Sequence, residues 1–172
     1  MQFMERVVFI ILVQVGLIIP ALSQDHEIIP RPGNAIFASF NGDAARASLN
    51  YEREIFLKPS ILMSVSAGVG WGNVSTFVSG GQETTDSYLC IPQRVTLGFE
   101  GPKMFFEAGM GGSFISGNAT PGYLFYPIIA IRSFPMKPKT VMVRVFVQFP
   151  IQSRITENID FYPLGFQLGL SF

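Results

Sequence analysis

From residue 34 onward the chain alternates bulky apolar residues with small or polar ones, in short runs broken by turn signals. Met63, Val65, Ala67, Val69 and Trp71 share one face of such a run, and Ser64, Ser66, Gly68, Gly70 and Gly72 share the other. Val141, Val143, Val145 and Val147 alternate in the same way with Met142, Arg144, Phe146 and Gln148. The chain finishes on Phe166, Leu168, Leu170 and Phe172, interleaved with Gln167, Gly169 and Ser171. A period of two is the signature of a β-strand with two unlike faces. Eight strands are predicted, over 35–41, 47–57, 61–72, 89–99, 104–115, 123–133, 140–149 and 164–172. Gly-Asp, Lys-Pro-Ser, Gly-Pro-Lys and Pro-rich segments separate several of them.

The character of the second face decides between two architectures. A soluble sheet buries its bulky face and exposes a face rich in charge. Here the second face is mostly Gly and Ser, which suits the cramped interior of a small closed barrel. Composition sharpens this reading. The chain is 48% hydrophobic and only 14% charged, with a mean hydropathy of +0.37. Soluble domains carry about a quarter charged residues. Yet beyond the first two dozen residues no run approaches the ~20 apolar residues of a membrane helix. Aromatics such as Tyr51, Trp71, Phe99, Tyr123 and Phe149 cluster toward strand ends, as in the interfacial girdles of membrane barrels. The predicted fold is therefore all-β: a single antiparallel up-and-down transmembrane barrel of eight strands, following a cleaved signal peptide.

The N-terminus fits export. Arg6 gives a basic start, 7–19 is apolar, Pro20 breaks the run, and Ala21-Leu22-Ser23 provides a small-residue cleavage site before Gln24. The expected organisation is a signal peptide over 1–23, a polar leader over 24–33 and the barrel over 34–172. Orientation follows from connection lengths. With the first strand starting in the periplasm, the short connections after strands two, four and six are periplasmic. The long segments 73–88, 116–122 and 151–162 then face outside. The connection after strand one breaks this rule, being external and short.

A few charges share the small-residue face: Glu52, Glu54, Arg94, Glu107, Arg132 and Arg144, three acids against three bases. Facing lipid they would each cost roughly 2–4 kcal/mol, so they are expected in the lumen. The favoured reading is a polar plug. A proton or small-ion path and a catalytic carboxylate pair are the other possibilities.

Other chemistry is sparse. The one histidine, His26, lies in the leader, so a Ser-His-Asp set cannot form in the barrel. Cys90 is the single cysteine, which excludes an internal disulfide and a cysteine-based metal site. Glycine runs at 68–72 and 109–112 sit within strands and precede no helix, so they are not phosphate loops. Twelve basic against twelve acidic residues give no electrostatic footprint for nucleic acid. No enzyme activity, cofactor or metal is expected.

Ser48-Leu-Asn-Tyr-Glu-Arg53, Gly68-Val-Gly70, Ile91-Pro92 at a strand opening, Phe106-Glu-Ala-Gly-Met-Gly111, Ile131-Arg132 and the closing Gly-Leu-Ser-Phe resemble small outer-membrane barrel proteins of Bacteroidetes-type bacteria. The likeness spans most of 34–172, and Asn-Tyr-Glu-Arg is its most specific piece. The chain departs from it at Ile131-Arg132, where a Gly-Tyr-Arg-like run would be usual. The resemblance implies an eight-stranded barrel in the outer membrane and no activity. It also implies that Phe166, Leu168, Leu170 and Phe172 serve as the recognition signal for the barrel-assembly machinery. The expected partners are outer-membrane lipid and that machinery, with the barrel a monomer. The expected role is structural or surface-interactive. A narrow channel for solutes or ions is one alternative, and a soluble periplasmic barrel closing its bulky face around an apolar ligand is another.

Overall fold

The computed structural model describes residues 33–78, 82–101, 104–116, 122–133, 141–151, 159 and 161–172. The predicted signal peptide and nearly all of the leader lie outside them. Eight strands form: β1 (Asn34–Gly42), β2 (Ala45–Lys58), β3 (Ile61–Val78), β4 (Gln82–Glu100), β5 (Met104–Ser116), β6 (Gly122–Ser133), β7 (Val141–Gln148) and β8 (Leu164–Ser171). They make one closed barrel in sequence order, with every neighbouring pair antiparallel. Closure runs from Ala35↔Ser171 to Phe40↔Phe166. Asn34 and Phe172 extend it by exchanging backbone hydrogen bonds of 3.2 and 2.8 Å. No sheet edge is left along this seam, which removes the usual route to edge-to-edge aggregation.

The alternation read from sequence becomes a radial partition. Val141, Val145, Ile129 and Leu170 point outward, at 57, 44, 61 and 56% exposure. Phe166, Leu168 and Phe172 point the same way. Met142, Arg144, Phe146 and Gln148 point inward and are buried. A soluble barrel with its bulky face around an apolar ligand is therefore overturned, because the bulky face is outside. The interior holds three small apolar clusters among many buried polar groups.

Glycines make room for the large rings inside. Phe37 lies directly across from Gly169, Phe146 from Gly165, Tyr126 from Gly111 and Tyr88 from Gly72. A Cβ at any of these glycines would overlap the facing ring. The Gly/Ser face is thus a set of slots into which aromatic side chains fold. Gly111→Ala is expected to destabilise the barrel by about 1–3 kcal/mol through overpacking. A denaturant titration checks this, and an unchanged midpoint would mean the Tyr126 ring moves freely.

Three readings need correction. Segment 73–88, expected as a long loop, is mostly strand, paired from Asn73↔Ser87 to Val78↔Gln82. Its polar composition suggested a loop, but Val74, Thr76, Phe77, Thr84 and Thr85 are strand formers. Leu89 is the last β4 residue paired with β5, and Trp71 the last β3 residue paired with β2. The hairpin therefore runs on beyond its neighbours. Second, the sorting of connections by length fails: 79–81 is no longer than 101–103, and 134–140 exceeds 117–121. Only 149–163 remains long on the expected external side. Third, Ile91-Pro92 does not open a strand but lies within β4. The β3–β4 ladder lapses between Ala67↔Gln93 and Gly70↔Cys90, where Pro92 has no N–H to give.

Arg53 is on the outer side, as the alternation requires. Its Nη1 donates to Asn34 Oδ1 at 2.8 Å, and Tyr51 OH donates to the same oxygen at 2.6 Å. Both side chains tie β2 to the first residue of β1.

Candidate functional site

Glu52 and Glu54 lie two apart on β2, so both face the lumen. Arg94 on β4, Glu107 on β5, Arg132 on β6 and Arg144 on β7 reach it by the same alternation, and all are buried. The register sets Arg132 directly across from Arg144. Like charges so placed repel, and two carboxylates bridge them. Glu52 Oε1 lies 2.7 Å from Arg132 Nη1 and 2.7 Å from Arg144 Nη2. Glu52 Oε2 also accepts from Arg144 Nη1 at 2.8 Å. Glu107 sits on the other side, 2.7 Å from Arg132 Nε and 3.1 Å from Arg144 Nε. Those two Nε contacts are ionic, since the N–H bonds do not point along them. The result is a closed ring: Glu52, Arg132, Glu107, Arg144. Glu54 hangs from it by one oxygen, 2.8 Å from Arg132 Nη1.

Each guanidinium also lies near an aromatic ring. Arg144 is 4.9 Å from the centre of Phe37, Arg94 is 4.9 Å from Phe146, and Arg132 is 5.8 Å from Phe105. A buried guanidinium gains from a ring face when water is excluded. Two of these rings, Phe37 and Phe146, are among those seated over glycines, so the packing of the wall and the charge network support each other.

Arg94 stands apart from the ring and is joined to it through Gln167, whose Oε1 accepts from Arg94 at 3.1 Å and from Arg144 at 2.8 Å. Gln167 Nε2 then donates to Ser39 Oγ at 2.5 Å, and Asn50 Nδ2 donates to Ser39 and Ser48 at 2.7 and 2.8 Å. Polar contacts thus cross the lumen from Arg94 on β4 to Gln167 on β8 and continue along the wall through Ser39 on β1 to Asn50 on β2.

Arg94's carboxylate partner is one the sequence reading missed. Asp43, in the two-residue β1–β2 connection, is fully buried and lies 2.8 and 3.0 Å from Arg94 Nη2. The connection folds into the barrel mouth, and Ala44 and Ala45 are fully buried with it. Ser48 Oγ and Tyr126 OH approach the carboxylate at 3.4 Å each. Ser113 Oγ donates to the Asp43 carbonyl at 2.5 Å, and Tyr88 OH to the Ala44 carbonyl at 2.9 Å. The Asp43 N–H donates to Gln148 Oε1 at 3.3 Å. Asn41, Asp43 and Ala44 have φ of 51, 61 and 56°. That conformation costs roughly 1–2 kcal/mol for a residue with a Cβ and is unusual for alanine. With its burial, this strain marks the connection as an inward plug and not a surface loop.

Asp43 changes the charge count. Among the described residues, the buried lumen set is Asp43, Glu52, Glu54 and Glu107 against Arg94, Arg132 and Arg144. Four acids face three bases, so the balanced set expected from sequence is corrected. Glu54 carries the surplus, because its Oε2 has no partner among the described residues; Ser64 Oγ and Arg132 Nη2 are also unpartnered. Cys90 is buried in the body of β4, its Sγ 3.9 Å from the Asp43 carbonyl.

Fold and site define a class: a closed eight-stranded barrel, apolar outside, its interior filled by a cross-linked charge network. No family model, curated protein or solved structure matches the chain.

Proposed function

We propose that the chain is an integral outer-membrane barrel with a structural or surface-interaction role and a lumen plugged by charged side chains. The observation that carries this reading is the inverted partition: large apolar side chains outward around the wall, ion pairs inward. Exposed apolar surface on this scale belongs against another apolar phase, and lipid is the phase that suits a barrel face. The resemblance to Bacteroidetes-type barrels favours the same location. Export then uses residues 1–23 as signal peptide and 24–33 as leader. The outward residues Phe166, Leu168 and Leu170 of β8, with Phe172 just beyond its end, are offered to the barrel-assembly machinery. The protein acts as a monomer, without cofactor and without catalysis. The β3–β4 hairpin, which runs on beyond its neighbours, is part of its external surface.

Cell fractionation with heat-modifiable gel mobility tests the location. The protein is expected in the outer membrane, running differently before and after boiling; recovery in the soluble periplasm would overturn the reading. Planar-bilayer recording tests the plug. A flat trace is expected from wild type, and stable unitary currents would replace the plug with the narrow-channel alternative.

A further inference from the structure

We infer that the upper lumen is a receptor for a small carboxylate, occupied in this state by the protein's own Asp43. The groups that hold this side chain are spread around the wall: Ser48 on β2, Arg94 on β4 and Tyr126 on β6 reach the carboxylate. Ser113 on β5 and Gln148 on β7 hold the backbone beside it. Arg94 supplies the charge and is itself positioned by Gln167 and by the Phe146 ring. Apart from Ser48, these groups lie on strands that do not adjoin the turn. They stay in place if it leaves, so the receptor is preorganised.

The turn has the properties of a displaceable occupant. It enters as a two-residue connection, strained at Asp43 and Ala44 by φ of 61 and 56°. Polar contacts hold Asp43, while Ala44 and Ala45 pack in an apolar cluster with Tyr88, Cys90, Ile115, Leu124 and Tyr126. Gly42 permits the entry, since a Cβ there would overlap the Phe146 ring. A free carboxylate of acetate size can take the Asp43 position on Arg94 while the turn swings outward and relaxes. A tethered carboxylate competes at high effective concentration, so displacement calls for ligand at roughly millimolar levels or above. The receptor is a property of the barrel interior and does not depend on where the barrel resides.

Cys90 is a built-in reporter. It is the only cysteine in the chain, it is 1% exposed, and its Sγ lies against the Asp43 carbonyl. Release of the turn uncovers it. The experiment follows labelling of Cys90 by a small methanethiosulfonate reagent, in the full-length mature protein folded in detergent micelles, as sodium acetate or formate is raised. The labelling rate is expected to rise severalfold and saturate. Sodium chloride at equal ionic strength and acetamide at equal concentration should leave it unchanged. Asp43→Asn is expected to label at the acetate-saturated rate without acetate. A wild-type rate that ignores acetate makes the turn a permanent plug and overturns the inference. A rate that rises equally with chloride overturns it too, because simple screening then explains the release. An Asp43→Asn protein that labels as slowly as wild type removes the Arg94 pair as the latch. If that variant does not fold, the wild-type comparison of acetate with chloride still decides.

Discussion

Replacing Arg132 with methionine is expected to lower the stability of the folded barrel by about 3–5 kcal/mol, the usual cost of removing one partner from a buried ion-pair network. Arg132 is fully buried and touches three carboxylates, Glu52, Glu54 and Glu107. Without it, Glu54 loses its ion pair and four buried acids face two guanidiniums. The ring opens, and Arg144 alone must hold Glu52 and Glu107. A urea titration read by the folded gel band measures the loss. Glu54→Gln alone is expected to change stability by less than about 1 kcal/mol, because Gln keeps an acceptor for Arg132 and removes the surplus charge. Adding Glu54→Gln to Arg132→Met should then recover about 1 kcal/mol, a coupling typical of residues in one network. An Arg132→Met barrel as stable as wild type would show that aromatic packing over glycine, and not the ring, holds the interior.

The six charges could be placed by alternation alone because a strand has a strict period of two. Once Arg144 was assigned to one side of Val143 and Val145, its direction followed. Which charges meet could not be read in this way. The pairing of Arg132 with Glu52, 80 positions apart, depends on barrel closure and tilt, which bring β6 across from β2. Asp43 was missed for a different reason. Gly42-Asp43 is strong turn chemistry, and turn chemistry ordinarily means surface. The signal that could have found it was the shortness of the connection, together with Ala44-Ala45, whose small side chains fit a confined space. The β3–β4 hairpin was misread because Ser, Thr, Gln and Gly dominate 75–87, and their polarity outweighed the β-propensity of Val74, Thr76, Phe77 and Val78. Register, more than composition, makes that segment a ribbon: its residues continue the pairing that begins in the barrel wall.

The outer face can be tested as directly as the lumen. Val145→Arg is expected to destabilise the barrel in lipid vesicles by about 2–4 kcal/mol, the cost of a cation facing hydrocarbon near mid-depth. Val145 lies midway along β7 with Ile131 and Phe166 across from it and Val143 and Val147 along the strand. None of these can pair with a guanidinium, so the new charge must reach the headgroups by snorkelling or remain unpaired. Ser87→Arg supplies the control. Ser87 is exposed and pairs with Asn73 in the hairpin extension beyond the wall, and an exposed substitution there should stay within about 0.5 kcal/mol of wild type. The contrast between the two sites carries the argument, since the same side chain is added to an exposed strand position in each. In a barrel surrounded by water, Val145→Arg would be as harmless as Ser87→Arg and would even improve solubility. Equal, small effects in vesicles would therefore remove lipid as the phase that covers this face. A large loss confined to Val145 would tie the alternation of Val141, Val143, Val145 and Val147 to a hydrocarbon environment.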